Sequence, residues 1–191
     1  MSETAAPLDR AAEIAAAIAA QSAIPTSPAQ LLARLAELGI STQTTDHDPV
    51  FTVEESQQVS GDMRGGHIKN LFLRNRKEEM WLVTVEENRR VDLKWLGEKL
   101  TGETGGAAKL SFGSADRLMT YLGVIPGAVT PFAVINDKVG KVKMVLDRHL
   151  LSCDPVFAHP LVNFKTTAIA PADLLAFLEA EGHKPQLLDF A

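Results

Sequence analysis

Cysteine is nearly absent from this 191-residue chain. Cys153 stands alone, which excludes an intrachain disulfide and a zinc site built on thiolates, and it points to a reducing, cytoplasmic compartment. A long hydrophobic run is missing too: no stretch approaches the roughly 18 apolar residues of a membrane-spanning helix. The apolar residues 14–20 are Ala-rich rather than Leu-rich, and Glu3, Asp9 and Glu13 stand where a secretory leader would carry positive charge, so they do not read as a signal. Positive charge is the minority sign, with 19 Lys and Arg against 24 Asp and Glu and a formal charge of −5. Such a surface disfavours broad coating of nucleic acid. There is no phosphate-binding Gly-Lys loop, dinucleotide fingerprint, nucleophile elbow or internal repeat, and the histidines show no metal-ligand spacing. Neither a metal nor a cofactor is expected.

What is present is an ordinary globular composition, 46% hydrophobic and 23% charged, at a length that suits one domain with a sizeable core. Residues 1–26 read as an Ala-rich helical or flexible extension and residues 27–191 as one domain. Ser27 and Pro28 open a helix whose Leu31, Leu32, Leu35 and Leu38 share a stripe, with Gly39 as its stop. Thr52 and Glu55 have capping-box spacing and predict a short helix. Alternation in Leu71 and Leu73, then in Trp81, Val83 and Val85, predicts a hairpin turning at residues 76–78. Further helices are predicted over 91–100, after Ser114, and from Pro171 until shortly before Gly182. Strands are predicted at 132–136, continued in hairpin fashion across Gly140 by 141–147, and at 166–170. This mixed order predicts an α+β domain with a mixed, partly antiparallel sheet surrounded by helices.

Three clusters could carry chemistry. Residues 61–77 hold Arg64, Lys69, Arg74, Arg76 and Lys77 against Asp62 alone, a local excess of +4 in an acidic chain. Taken alone, such a run reads first as a solvated hairpin face, but it would also suit an anionic ligand met at one place. Lys69 is the exception within it. If Asn70 and Phe72 share one face, Lys69 shares the other with Leu71 and Leu73, and an amine turned toward an apolar surface is costly unless a pocket or partner meets it. The second cluster is GVIPGAVTP at 123–131, where Gly127 allows close approach of backbone amides and Pro126 and Pro131 stiffen the loop. A plain tight connection would look the same. The third is FAHPLVNFKTT at 157–167, in which Pro160 forces His159 toward an extended backbone. A lone histidine is more often structural than catalytic.

In this order, DPVFTVEES (48–56), HIKNLFLRN (67–75), RRVDLKWLGEKL (89–100), the run from 110 to 137 and HPLVN with its following TT (159–167) resemble one family. It is the YbaK-like aminoacyl-tRNA deacylases, free-standing relatives of the editing domain inserted in bacterial prolyl-tRNA synthetase. The likeness spans about residues 27–190 and is strongest to the branch that acts on alanyl-tRNA(Pro). The resemblance implies a carboxylic ester hydrolase cutting the bond between an amino acid and the 3′-terminal adenosine of tRNA. It implies that Lys69 and Gly127 are catalytic, Lys69 beside the terminal nucleotide and the 127–131 backbone holding the aminoacyl carbonyl and the attacking water. It further implies that His67, Asn70, Ala128, Val129, Pro131, His159 and Asn163 line the substrate site, with His159 shaping the amino-acid pocket rather than acting as a base. Ala128 and Ala158 depart from the family's usual Ser and Phe. The implied partners are the acceptor end of Ala-tRNA(Pro) and, secondarily, prolyl-tRNA synthetase, with no membrane and no DNA. A modestly different pocket would serve the same reaction on Cys-tRNA(Pro), or the fold could be a non-catalytic aminoacyl-tRNA or synthetase-binding module.

Overall fold

Ser27 opens helix α1 (Pro28–Glu37) with a reciprocal cap. Its hydroxyl accepts from the Gln30 N–H, the Gln30 side chain accepts from the Ser27 N–H, and Pro28 occupies the first turn. In the computed structural model, which describes residues 18–49 and 64–190 together with Ala12, Ala15 and Ala16, α1 buries Leu31 and Leu35 completely. Each contributes about 2 kcal/mol of apolar burial. Asp92 caps α2 (Leu93–Thr101), Ser114 caps α3 (Ala115–Leu122), and Pro171 starts α4 (Pro171–Ala180). The helix expected at Thr52 and Glu55 lies outside the described residues.

Eight described strands form the mixed sheet that the order of elements predicts. They are β1 (Gln43–Asp46), β2 (Gly66–Arg74), β3 (Met80–Glu86), β4 (Ser111–Phe112), β5 (Val142–Asp147), β6 (Val156–Ala158), β7 (Lys165–Ile169) and β8 (Gln186–Leu188). Their spatial order is β1-β7-β6-β2-β3-β5-β8, with β4 also on β2. The β2–β3 hairpin is antiparallel, and its turn is built by buried Asn75, whose side-chain oxygen accepts from the N–H groups of Lys77 and Glu79. On the edge of β2 away from β3, β6 pairs with Gly66 and His67 and β4 with Leu73 and Arg74. Residues 69–71 of that edge are paired by neither strand.

Alternation along β3 and β5 divides two cores. Phe72, Met80, Leu82, Met144 and Leu146 face α1, α3 and α4, whereas Leu73, Trp81, Val83, Val85 and Val145 face α2 and Phe190. The sheet therefore lies between two layers, and β3 is buried on both sides.

Three expectations are corrected. Residues 132–136 are not a strand but belong to a 3₁₀ helix, Pro131–Asn136, whose start Thr130 caps by accepting from the Phe132 N–H. Its members Pro131 to Ile135 are all buried, and a short, wholly apolar run carries no period by which strand and helix differ. Accordingly β5 is not a hairpin continuation: it inserts parallel to β3 and β8. The +4 excess is also less concentrated than the sequence suggests. From Gly66 to Arg74 the strand extends about 26 Å, and at its far end Arg74 pairs with Glu78 and Lys77 with Glu103. No described helix is long and apolar enough to cross a membrane.

Candidate functional site

The segment between α3 and the 3₁₀ helix makes a type II turn. Pro126 and Gly127 are its central residues, the Ala128 N–H donates to the Ile125 carbonyl at 3.0 Å, and Gly127 has φ +86°. A positive φ at the third position of such a turn is strained for any residue with a Cβ, which is why glycine stands there. Pro126 and Gly127 are exposed, while Ala128 and Pro131 are buried and Val129 is half-buried. The turn thus presents its tip to solvent from a rigid base.

One carboxamide ties it down and a second lies beside it. Asn70, on the α1/α3/α4 face of β2, donates from Nδ2 to the Val129 carbonyl at 2.9 Å, and its Oδ1 accepts from the Thr84 hydroxyl at 2.6 Å. Thr84 lies directly opposite in the β2–β3 register and is fully buried. From the other side comes Asn163, completely buried, whose Nδ2 lies 3.6 Å from the point where a Cβ on Gly127 would stand. Gln21 holds Asn163: its Oε1 accepts from the Asn163 N–H at 2.7 Å and its Nε2 donates to Asn163 Oδ1 at 2.8 Å.

His159 sits four residues before Asn163, at the end of β6. Its Nδ1 meets the Lys165 carbonyl at 2.9 Å, and because a carbonyl only accepts, Nδ1 carries the proton and Nε2 keeps its lone pair in the neutral ring. Burial pushes the imidazole below its ordinary value, outweighing the Lys165 carbonyl that favours the charged form, and His47, 6.2 Å away between ring centroids, adds to the lowering. His47 is itself held, by the Thr166 hydroxyl on Nε2 and the Asp48 carbonyl on Nδ1.

His67 stacks on Phe157 across the β2–β6 pair, with centroids 4.9 Å apart and planes 15° from parallel. Lys69 follows on the same side of β2, the side of Leu71 and Leu73, half-buried and without an ion-pair partner among the described residues. The structure therefore brings Asn70, Gly127, Ala128, Val129, Pro131 and Asn163 together, whereas His67 and Lys69 emerge on the opposite face of β2. They do so next to the stretch of strand edge that β4 and β6 leave unpaired. Thr84 and Gln21 do not stand out in the sequence. A threonine flanked by the apolar residues Met80 to Val83 and Val85 is a usable sign of a buried polar bond, but a glutamine in an Ala-rich segment carries none.

Fold and site together define an α+β domain that presents backbone groups at an exposed glycine turn; no described group of three or more His, Cys, Asp or Glu is arranged to hold a metal ion. Comparison with known proteins is specific. A model of the aminoacyl-tRNA editing domain matches residues 47–177. The prolyl-tRNA editing protein ProX of Acetoanaerobium sticklandii is 38% identical over 80% of this chain and 91% of its own. The prolyl-tRNA synthetase associated domain-containing protein 1 of Mus musculus is 38% identical over 85% of this chain and 95% of its own. Among solved structures, a candidate trans-editing enzyme for prolyl-tRNA synthetase superposes with a TM-score of 0.64 at 22% identity, over 86% of this chain and 97% of the other. The chain belongs to the aminoacyl-tRNA editing domain family.

Proposed function

We propose that this protein is a trans-editing deacylase that hydrolyses the ester of mischarged Ala-tRNA(Pro). The observation that carries the reading is the Ile125–Pro126–Gly127–Ala128 turn, exposed at its tip, tied through Val129 to Asn70 and with Asn163 beside Gly127. An aminoacyl ester is already activated, so catalysis can rest on positioning and on fixed donors at the carbonyl oxygen, without a triad or metal. In the proposed reaction water adds to the carbonyl carbon, charge collects on the carbonyl oxygen beside the turn, the ester C–O bond breaks, and the 3′-oxygen leaves with a proton. Alanine and tRNA are the products. In this proposal the substrate's own 2′-hydroxyl, on the carbon next to the ester, assists the water.

Lys69 is assigned to the terminal nucleotide, Gly127 to the carbonyl and water, and Ala128, Val129, Pro131, His159 and Asn163 to the substrate site at the turn, while His67, on the Lys69 side of β2, is assigned to binding the nucleotide end of the substrate. Asn70 is assigned to holding the turn as well as to the pocket, since both ends of its amide are engaged by the protein. The names of the relatives, a prolyl-tRNA editing protein and a synthetase-associated domain protein, support prolyl-tRNA as the carrier. An editing site is chemically necessary there. A synthetase pocket discriminates against a smaller amino acid by only about 1–3 kcal/mol for each missing methylene, which leaves an error for a second site to remove.

The test is a deacylation panel of Ala-, Cys- and Pro-tRNA(Pro) with the purified protein. Hydrolysis of the alanyl ester alone is expected. Preference for the cysteinyl ester would transfer the assignment to Cys-tRNA(Pro). Binding of aminoacyl-tRNA without turnover would make the protein a recognition module.

A further inference from the structure

Gln21 precedes the first residue that the family model matches, yet it is only 3% exposed and bonded twice to Asn163. These two bonds fix orientations that an amide alone would leave open. A backbone N–H only donates, so the end of Gln21 facing the Asn163 N–H at 2.7 Å must be its oxygen. Nε2 is then the other end, and the Asn163 atom it meets at 2.8 Å must be Oδ1. That leaves Nδ2 as the Asn163 atom beside Gly127. A residue 142 positions away in the chain thus holds the Asn163 amide with its nitrogen, not its oxygen, toward the glycine turn.

We propose that Gln21 is a positioning residue of the editing site, holding the Asn163 amide with Nδ2 toward the Gly127 turn. This rests on the reading of that turn as the place where the aminoacyl ester is held. An amide nitrogen fixed beside the turn keeps partial positive charge near an oxygen on which negative charge develops; a flipped amide would place Oδ1 there and repel it. Residues 18–21 are helical, and Ile18 and Gln21 line a cavity together with Val162, Phe164 and Lys165, so a piece of chain outside the matched domain packs on both sides of Asn163 in sequence.

The experiment compares the full-length protein with Gln21→Ala and Gln21→Glu. Glutamate is nearly isosteric and keeps the acceptor for the Asn163 N–H, but it places a second oxygen against Oδ1 and so drives the flip. A packing role would spare Gln21→Glu, whereas a positioning role makes it the worse variant. On Ala-tRNA(Pro), kcat is expected to fall on the order of tenfold for Gln21→Ala and further for Gln21→Glu, with KM within about twofold of wild type. In ¹⁵N spectra without substrate, the Gly127 and Ala128 amide signals should move in both variants while those of β5 and β8 stay in place. Unmoved Gly127 and Ala128 signals, or Gln21→Glu as active as wild type, would overturn the proposal. Should wild-type protein hydrolyse none of the charged tRNAs, the functional reading falls, and the amide signals alone decide whether Gln21 positions the turn.

Discussion

The Nδ2 of Asn70 donates to the carbonyl of Val129 at 2.9 Å, tying the middle of β2 to a loop 59 residues further along the chain. With Thr84 occupying Oδ1, the amide is locked in one orientation, because a carbonyl can be met only by the nitrogen end. Asn70→Asp replaces that donor by an oxygen facing the Val129 carbonyl. Loss of a largely buried bond together with an unpaired acceptor should lower stability by about 1–3 kcal/mol. Urea unfolding measures this, and deacylation should fall with it as the turn loosens. Thr84→Val, which leaves the Val129 bond in place, should cost less.

Gly127 and Gly140 form a matched pair for testing the turn. Both have positive φ, +86° and +66°, and neither has a neighbour close enough to clash with a Cβ. Replacing either by alanine therefore introduces the same kind of backbone strain, about 1–2 kcal/mol. Thermal melts should show comparable losses. Deacylation at a temperature where both variants are folded should fall only for Gly127→Ala, and equal activity of the two variants would remove the turn from the chemistry.

Strong local signals made much of this fold legible. The Ser27 cap, the Leu31 and Leu35 stripe, the helical period at 91–100, the Ser114 helix start and the β2–β3 alternation all act within a few residues, and the elements form where the pattern puts them, to within a residue or two. The run at 132–136 was not legible, since complete burial erases the period that would separate a strand from a 3₁₀ helix. The parallel insertion of β5 beside β3 is a long-range pairing with no local mark. The candidate site divides in the same way. Gly127 and the alternation that puts Asn70 and Lys69 on opposite faces can be read from spacing, but Thr84 is tied to Asn70 only by strand register, and Gln21 to Asn163 only by tertiary packing.

Lys69 and Arg76 test which cations matter. Lys69 lies mid-strand beside the stretch of β2 edge that β4 and β6 leave unpaired, whereas Arg76 is in the exposed hairpin turn, more than about 17 Å further along. Lys69→Ala should reduce kcat/KM by more than about tenfold on Ala-tRNA(Pro), in line with loss of a charge-assisted contact. Its unfolding midpoint should stay near wild type, because the ammonium has no ion-pair partner among the described residues. Arg76→Ala should leave kcat/KM nearly unchanged at physiological salt. Comparable losses in the two variants would mean that the whole basic hairpin attracts tRNA by diffuse charge rather than through a site at Lys69.

The histidine at the end of β6 gives a pH signature whose sign follows from its environment. Burial holds the folded His159 below its ordinary value of 6.5, so on acidification the unfolded chain takes up the proton first. Stability rises with pH wherever the unfolded state binds more protons. The contribution of His159 is therefore complete above about pH 6.5 and is lost progressively as pH falls from there through the folded value. Glu79, held low by Lys143 and Asn75 against the opposing effect of burial, loses its contribution only further down, below the ordinary 4.5 of a carboxylate. Glu181 behaves alike, since burial pushes it up but Arg34 and Lys138 together bring it lower. Between pH 6.5 and the carboxylate range, urea midpoints of wild-type protein should fall with decreasing pH, and part of that slope should vanish in His159→Gln, whose amide can still donate to the Lys165 carbonyl without titrating. An identical slope in the variant would show that His159 does not report on this window. Because the neutral ring is the one that fits, wild-type deacylation should also decline on acidification across the same range, and the decline should be shallower in His159→Gln.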